Sequence, residues 1–388
     1  MSFLDRIIVN PEVTLTKGEV YPFIDMANVS TLNRQPDTIN ERVFTGGGAR
    51  FQYGDTVIAR IEPCLQNGKR FFCNSIERGF GSTEYLVFRA KDQTVNPLYL
   101  YYFMQQSSVK QAMVNSMVGA TGRQRVNNSV FVDLPFDPPA IESQTRIGII
   151  LSTYDDLIET NQRQIKLLEE AAQRLYKEWF VDLRYPGHEN VPVVDGMPEG
   201  WGKRKLIQQS SVLRRGISPT YNDEGKFTVI SQKCIRSAIM SITESRRQEK
   251  EYPEDLNLQD GDTVICSTGT GTLGRVGQVF GKYPNTTFDS HVTLVRAKCQ
   301  PNYHYHAIKS QEEYLMGMGR GSTNQQELYR SVIEGLDILI PTGEVLTKAE
   351  KMFANIHEKI TALKDEIIRL SEARDRLLPK LMSGEIAV

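Results

Sequence analysis

The sequence predicts an α+β fold: two related mixed α/β modules separated by two long helices that form an antiparallel intramolecular coiled coil. Three observations predict this fold. Segments recur in the same order at a nearly constant offset, and two stretches of about 40 residues carry a coiled-coil periodicity. Short runs rich in β-branched residues, such as 56–61, 85–89, 263–266 and 292–295, have the composition of strands.

The recurrence is an internal duplication. Residues 54–58, GDTVI, return as residues 261–265 at an offset of 207. Residues 168–175 match residues 370–377 at an offset of 202. An offset that shrinks slowly along the chain indicates a tandem duplication with small deletions. Each copy of about 180–200 residues is too long for a solenoid repeat, so the chain contains one globular module and one helix, twice.

In both helical stretches, apolar or small residues recur at steps that alternate between four and three residues. This is the 3.5-residue repeat of a coiled-coil seam. Asn161 and Arg374 are polar positions in this pattern, which either reach solvent or fix the register of the pair. For Arg374 we favour solvent exposure, because its neighbour Ala373 can face inward instead. The first seam is Ile147, Leu151, Tyr154, Ile158, Asn161, Ile165, Leu168, Ala172, Leu175 and Trp179. The second is Leu346, Ala349, Phe353, Ile356, Ile360, Leu363, Ile367, Leu370, Arg374, Leu377 and Leu381.

Prolines and glycines set the expected boundaries. Prolines are tolerated before a helix but not inside one, and a cluster of Pro and Gly indicates a linker. The predicted order is a first module at 1–138, a first long helix at 139–182, a linker at 183–201, a second module at 202–342, and a second long helix with a tail at 343–388.

Composition excludes several classes of protein. With 40% apolar and 24% charged residues the chain is not disordered, and it has no apolar stretch of the roughly 18 residues that a membrane span needs. Its five cysteines are never closer than nine positions, which predicts reduced thiols in a cytoplasmic protein. The net charge of −1 means that any nucleic acid must be bound by local basic patches.

Three motifs are interpreted as structural. Residues 269–274 fit G-x-G-x-x-G, but strand-type residues follow where a dinucleotide site needs a helix. Residues 137–140, DPPA, lack the aromatic residue of an amino-methyltransferase and are better explained as a helix start. His304 and His306 are expected on a helix rather than on zinc. We therefore predict a non-catalytic chain with no cofactor or metal of its own.

Basic, glycine-rich and hydroxyl-rich loops occur at matching places in the two modules. Arginine reads guanine, Gln and Asn read adenine, and hydroxyls and glycine amides bind phosphate. Polar surface loops would have a similar composition; the duplication favours DNA, because two modules on a spacer suit two separated half-sites. The candidate contacts are Arg50, Arg60, Lys69, Arg70, Thr121, Arg123, Gln124 and Arg125, with Arg214, Arg215, Thr270, Arg275, Arg320, Ser322, Thr323, Gln325 and Gln326.

Three short motifs resemble a known family over nearly the whole chain. Residues 137–144, DPPAIESQ, are similar to P-L-P-P-x-x-E-Q, and residues 196–201, GMPEGW, are similar to P-x-G-W. Residues 377–386, LLPKLMSGEI, resemble the ending of the same family. In this order on a duplicated chain, they resemble the specificity subunits of type I restriction–modification systems.

This resemblance implies that each module is a target recognition domain reading half of a bipartite double-stranded DNA site. The helix pair would set the spacer and dock methyltransferase subunits, and restriction subunits would join the complex. S-adenosylmethionine, ATP and Mg would belong to these partners. The expected docking residues are Glu170, Arg174, Glu178, Glu372 and Arg376. A methylation-only assembly and a two-headed protein-binding scaffold remain as alternatives.

Overall fold

The computed structural model describes residues 2–235, 240–242, 244–269, 271–321, 326–342 and 344–388. The chain divides into two compact units. Unit 1 comprises Met1–Gln162 and Asp365–Val388, and unit 2 comprises Arg163–Lys364. Each unit therefore contains one predicted module together with about half of each long helix.

Unit 1 contains two sheets. One has the strand order β1-β8-β5-β6 and is antiparallel throughout; the other has the order β3-β2-β7-β4, with β2 and β7 parallel. The strands are β1 Ile7–Val9, β2 Val20–Ile24, β3 Asn40–Val43, β4 Ala49–Gln52, β5 Thr56–Ala59, β6 Arg70–Phe72, β7 Arg78–Gly81 and β8 Tyr85–Ala90. The helices are α1 Phe3–Arg6, α2 Pro97–Phe103, α3 Ser107–Asn115, α4 Val130–Asp133 and the long α5 Ile141–Tyr176.

Unit 2 repeats this pattern. Its sheets have the orders β12-β18-β15-β16 and β14-β13-β17, with β13 and β17 parallel, and β9 with β10 and β11 with β19 form further pairs. The strands are β9 Val193–Val194, β10 Met197–Pro198, β11 Gly202–Lys205, β12 Ser210–Arg215, β13 Phe227–Ile230, β14 Arg246–Gln248, β15 Thr263–Cys266, β16 Val276–Gln278, β17 Thr286–Phe288, β18 Val292–Ala297 and β19 Asp337–Ile340. The helices are α6 Leu206–Gln209, α7 Pro301–Lys309, α8 Glu312–Gly317, α9 Arg330–Glu334 and the long α10 Glu344–Met382.

The duplication extends to individual hydrogen bonds. Asp55, in the turn before β5, accepts from Nε of Arg89 at 2.7 Å, and Asp262, before β15, accepts from Nε of Arg296 at 2.8 Å. Both carboxylates also accept from the backbone N–H three residues earlier, at 2.8 Å. Each buried aspartate thus closes the turn into the central strand and ties it to the strand beside it.

The two long helices run antiparallel within unit 1. Ser143 of α5 donates to the carbonyl of Val388 at 3.4 Å, whereas Asp155 accepts from Nη1 of Arg374 at 2.5 Å. The partner number falls as the number along α5 rises, as the antiparallel prediction requires. In unit 2, the buried cluster contains both Ala172 of α5 and Phe353 of α10.

The prediction that Arg374 is exposed to solvent is wrong, because this residue is only 4% exposed. Asp155 lies in the seam, where Tyr154 was expected, and its carboxylate neutralises the arginine. Asn161 is also buried. Both polar seam positions are therefore enclosed, as the register interpretation requires.

The predicted helix start after the proline pair is confirmed, since α5 begins at Ile141. Gln144, in the first turn of α5, is buried and joins this helix to the segment between β8 and α2. Its amide accepts from the backbone N–H of Asn96 at 2.9 Å and donates to the carbonyls of Thr94 and Pro139 at 2.9 and 2.8 Å. A buried glutamine here fixes the helix against the module.

Candidate nucleic-acid interface

Arg50 and Arg60 of unit 1 line one open cavity of about 350 Å³. Arg50 lies on β4, and its guanidinium is 5.1 Å from the ring centroid of Phe44. Arg60 follows β5, and its backbone N–H donates to the carbonyl of Glu84 at 2.8 Å. The ends of two strands thus bring two of the predicted contacts to one concave surface.

Gly48 lies beside this cavity and has a structural reason to be glycine. Its φ is +88°, and a Cβ at this position would lie 2.3 Å from the carbonyl oxygen of Gly81. Only glycine permits β4 to begin so close to β7. The glycine-rich loop therefore positions Arg50 through its backbone geometry.

A hairpin carries the next set of predicted contacts in unit 1. Val118 and Arg125 exchange backbone hydrogen bonds of 3.0 and 2.9 Å, and Thr121 and Arg123 between them are exposed. Gln124 is half-buried. The hairpin therefore presents its tip to solvent.

Arg125 closes this hairpin and is held by Glu84. Its Nη2 lies 2.7 Å from Oε1 and its Nε 2.9 Å from Oε2 of the carboxylate. The hydrogen bond from Arg125 lowers the pKa of Glu84, and the same pair raises the pKa of Arg125. Both groups are accordingly charged at neutral pH.

Lys69 and Arg70 have other surroundings. Lys69 Nζ donates to the carbonyl of Met26 at 2.7 Å. Arg70 donates to Oε1 of Gln105 at 2.6 Å and lines a separate cavity of about 380 Å³ together with Leu378 of α10. The structure does not bring Arg70 into the cavity shared by Arg50 and Arg60.

In unit 2, the predicted arginines at the end of β12 form ion pairs. Arg214 Nη1 lies 3.3 Å from Oδ2 of Asp255, and Arg215 pairs with Glu327. Arg320 is exposed and exchanges backbone hydrogen bonds of 3.0 and 2.8 Å with Glu327. These bonds correspond to those that close the first hairpin.

The remaining predictions in unit 2 concern two loops. Arg275 donates to the carbonyls of Gly271 at 3.0 Å and Ile235 at 3.3 Å. Strand β16 follows Arg275, where a dinucleotide site would need a helix, as the sequence predicted. Gln326 is exposed. Four predicted contacts, Thr270, Ser322, Thr323 and Gln325, lie outside the described residues.

Sequence reasoning did not select Arg42 or Glu84. Arg42 is exposed on β3, its guanidinium lies 3.7 Å from the ring centroid of Phe23, and it lines a cavity with Thr45 and Thr83. Its place on a strand bordering the glycine-rich loop was the available signal. A search for basic residues does not select Glu84, because the role of this carboxylate depends on its ion pair with Arg125.

Four of the five residues predicted for docking lie on the long helices, and Glu178 lies in the helical turn that follows α5. Glu170 and Arg174 form an i,i+4 pair at 3.9 Å, and Glu372 and Arg376 repeat it at 3.7 Å. Both arginine side chains are 82% exposed, and Glu178 is exposed as well. The duplicated pairs therefore present the same charges to solvent at equivalent places.

His304 and His306 lie on α7 and are buried, so the prediction that they belong to a helix is confirmed. Across the described ranges, no three His, Cys, Asp or Glu residues are grouped as ligands for a metal ion. No helix in the described part of the chain is long and apolar enough to span a membrane.

Comparisons with known proteins agree with this arrangement. The type I restriction modification DNA specificity domain family matches residues 10–170. The MjaIX specificity subunit of Methanocaldococcus jannaschii is 26% identical over 77% of this chain and 71% of its own length. The HindI specificity subunit of Haemophilus influenzae is 23% identical over 86% of each chain.

One solved structure supports the fold. The type I restriction–modification S subunit from M. genitalium has a TM-score of 0.51 and 16% identity, covering 98% of this chain and 95% of that chain. The likeness shows that the arrangement of sheets and long helices is shared. The family model and the sequence relatives show that this chain is similar in sequence to type I restriction–modification DNA specificity subunits.

Proposed function

We propose that this chain is a DNA specificity subunit that reads a bipartite double-stranded DNA site, with each unit contacting one half. The observation that carries the proposal is the repetition of one basic hairpin. Arg123 in unit 1 and Arg320 in unit 2 are exposed on hairpins closed by corresponding backbone hydrogen bonds. Exposed arginines can reach guanine edges or phosphates, and hydroxyls and amides beside them can bind the backbone.

The cavity shared by Arg50 and Arg60 supplies the second part of the proposed surface in unit 1. Arg50 lies on β4 and Arg60 directly follows β5, so the sheets fix the backbone from which both side chains extend. Phosphate contacts fix the register of a protein on DNA, and base contacts on the nearby hairpin then select the sequence. The net charge of −1 makes such local clusters necessary for binding.

The long helices would set the spacer between the half-sites. Helix α10 has 39 residues, which correspond to about 60 Å at 1.5 Å per residue. A DNA turn measures about 34–36 Å, so the half-sites should lie within about two turns. Helix length, rather than any base contact, would then determine the spacing of the site.

The partners would be methyltransferase subunits, docked on the helix faces that carry Glu170, Arg174, Glu178, Glu372 and Arg376, and restriction subunits. In this proposal the chain itself is non-catalytic. The methyltransferase subunits bind S-adenosylmethionine and take the target adenine out of the DNA stack, and ATP and Mg serve the restriction subunits. The specificity subunit selects the place on DNA.

The experiment is a map of methylated bases in a host with and without this gene, in the presence of the partner methyltransferase. We expect adenine methylation at one bipartite motif to disappear with the gene. Restoring the gene should restore the motif and reveal both half-sites. An unchanged map in a host that expresses the chain and an active partner would overturn the proposal and favour the protein-binding scaffold.

A further inference from the structure

Each unit contains one ion pair at the end of its hairpin, and the charges are reversed between the units. In unit 1, Arg125 of the hairpin pairs with Glu84, which precedes β8. In unit 2, Glu327 of the hairpin pairs with Arg215 at the end of β12. The cation is on the hairpin in one unit and on the sheet in the other.

Arg125 and Glu327 occupy equivalent positions. Both end a hairpin whose first residue, Val118 or Arg320, exchanges backbone hydrogen bonds with them. The residue that follows each hairpin also makes an equivalent backbone hydrogen bond. The N–H of Val126 donates to the carbonyl of Arg60 at 2.9 Å, and the N–H of Leu328 donates to the carbonyl of Ser267 at 2.8 Å. The two ion pairs therefore hold the same structural element.

The geometry of Glu84 restricts what Arg125 can do. The carboxylate accepts from Nε and Nη2, one of the edges through which arginine makes paired hydrogen bonds. Arg123 is exposed, and its guanidinium has no partner among the residues that the structure describes. Arg123 is thus available to DNA, whereas Arg125 is engaged with the sheet.

The reversed pair in unit 2 leads to the same division of roles. Glu327 cannot make an arginine contact with guanine, yet it holds the equivalent place on its hairpin. Arg320 is exposed, and its guanidinium is unpaired within the described ranges. Since the charge at the hairpin end differs between units while the pairing is kept, the shared property is the ion pair itself.

We infer that Glu84 and Arg215 are positioning residues, which fix the two DNA-reading hairpins through Arg125 and Glu327. The inference rests on the proposed function. Arg123 and Arg320 make the DNA contacts, and the ion pairs keep their backbones in the orientation that reads the half-site. The earlier expectation that Arg125 and Arg215 themselves contact DNA is thereby replaced by a role in holding the loop.

The test uses the full chain assembled with its methyltransferase partner and a library of DNA duplexes with randomised half-sites. Methylated duplexes are sequenced to obtain the preference at each position. Glu84→Gln should reduce the preference at one half-site on the order of tenfold, the change expected when a base-reading residue is misplaced, and leave the other half-site unchanged. Arg215→Gln should do the same at the opposite half-site.

A charge swap separates positioning from DNA contact. The double variant Glu84→Arg with Arg125→Glu recreates in unit 1 the polarity that unit 2 already uses, and should restore the preference that Arg125→Glu alone loses. Arg123→Ala should reduce preference at the same half-site. The exposed i,i+4 pair of Glu344 and Lys348 provides the control, since Glu344→Gln should leave both half-sites unchanged.

Two results would overturn the inference. One is a swap variant no better than Arg125→Glu alone, which would mean that Arg125 touches DNA. The other is an unaltered preference in Glu84→Gln. The unfolding midpoints of all variants are measured. The single variant Arg125→Glu and the double variant are then compared in assemblies that remain folded. If the wild-type assembly methylates no bipartite motif, the proposed function fails instead.

Discussion

Asp155 and Arg374 form an ion pair between the long helices of unit 1, with 2.5 Å between Oδ1 and Nη1. Their side chains are 3% and 4% exposed. The hydroxyl of Tyr102 donates to the other carboxylate oxygen at 2.5 Å. In unit 2, His357 corresponds to Asp155 at an offset of 202, and His306 corresponds to Tyr102 at an offset of 204. This polar contact therefore differs between the duplicated units.

Replacing Arg374 by Met should destabilise unit 1 by about 3–5 kcal/mol, because it leaves the Asp155 carboxylate buried without a counter-charge. Denaturant unfolding measures the change. Arg376→Met, on the exposed face of the same helix, is the matched control and should change stability by less than about 1 kcal/mol. A loss for Arg374→Met as small as that of the control would contradict the expectation.

The aspartates before the central strands should behave alike. Asp55→Ala leaves Arg89 without its carboxylate and removes a turn hydrogen bond, and Asp262→Ala does the same to Arg296. Each substitution should cost about 3 kcal/mol, measured by denaturant unfolding. Asp337→Ala, which removes an ion pair with both side chains half exposed, is the control. Strongly unequal losses at the two aspartates would argue against equivalent roles.

His306 should make stability depend on acid. Burial, followed by the nearby His357 and Lys309, lowers the pKa of His306 to about 3. The unfolded chain binds this proton near pH 6.5, so the contribution is complete above that pH and falls as pH drops towards 3. At pH 5 the loss is about 2 kcal/mol relative to neutral pH.

The measurement is urea unfolding of wild type and His306→Gln between pH 7 and 4. The variant should have a shallower dependence below pH 6.5, because it has no proton to bind in the unfolded state. His188→Gln is the control, since His188 is 38% exposed. Identical slopes for wild type and His306→Gln would refute the assignment.

Arg123→Ala and Arg320→Ala should each loosen one half-site by about 1–3 kcal/mol if the contact is to a base. The assembled methyltransferase is titrated with duplexes carrying changes in one half-site or the other. Loss of discrimination at one half-site only is the expected result. Equal weakening on every duplex, with a salt slope reduced by about one, would identify a phosphate contact instead.

Charge reversal on the helices should weaken assembly. Glu170→Lys with Glu372→Lys places like charges beside Arg174 and Arg376 and reverses both duplicated pairs. Co-purification with methyltransferase subunits should fall while the helix content by circular dichroism stays constant. Glu344→Lys, another exposed helix position, is the control. Unchanged co-purification would mean that the partner docks elsewhere.

Local patterns in the sequence were sufficient for much of the fold. The steps of four and three residues predicted two long helices, and the structure contains them as α5 and α10. The start of α5 after the prolines was likewise predictable, since proline limits the backbone on both of its sides. Strand and helix periodicities depend only on neighbours within a few residues, so a single sequence reveals them.

The tertiary structure decided which polar residues meet. Arg374 and Asp155 are 219 positions apart, and no local pattern marks them as partners. Arg70 and Arg125 are both basic loop or strand-end residues, yet one faces a cavity beside α10 and the other pairs with Glu84. The sequence determined that basic loops recur in both copies. Only the folded chain determined which guanidinium groups are neutralised and which remain exposed, because the charge partner of each is set by long-range packing.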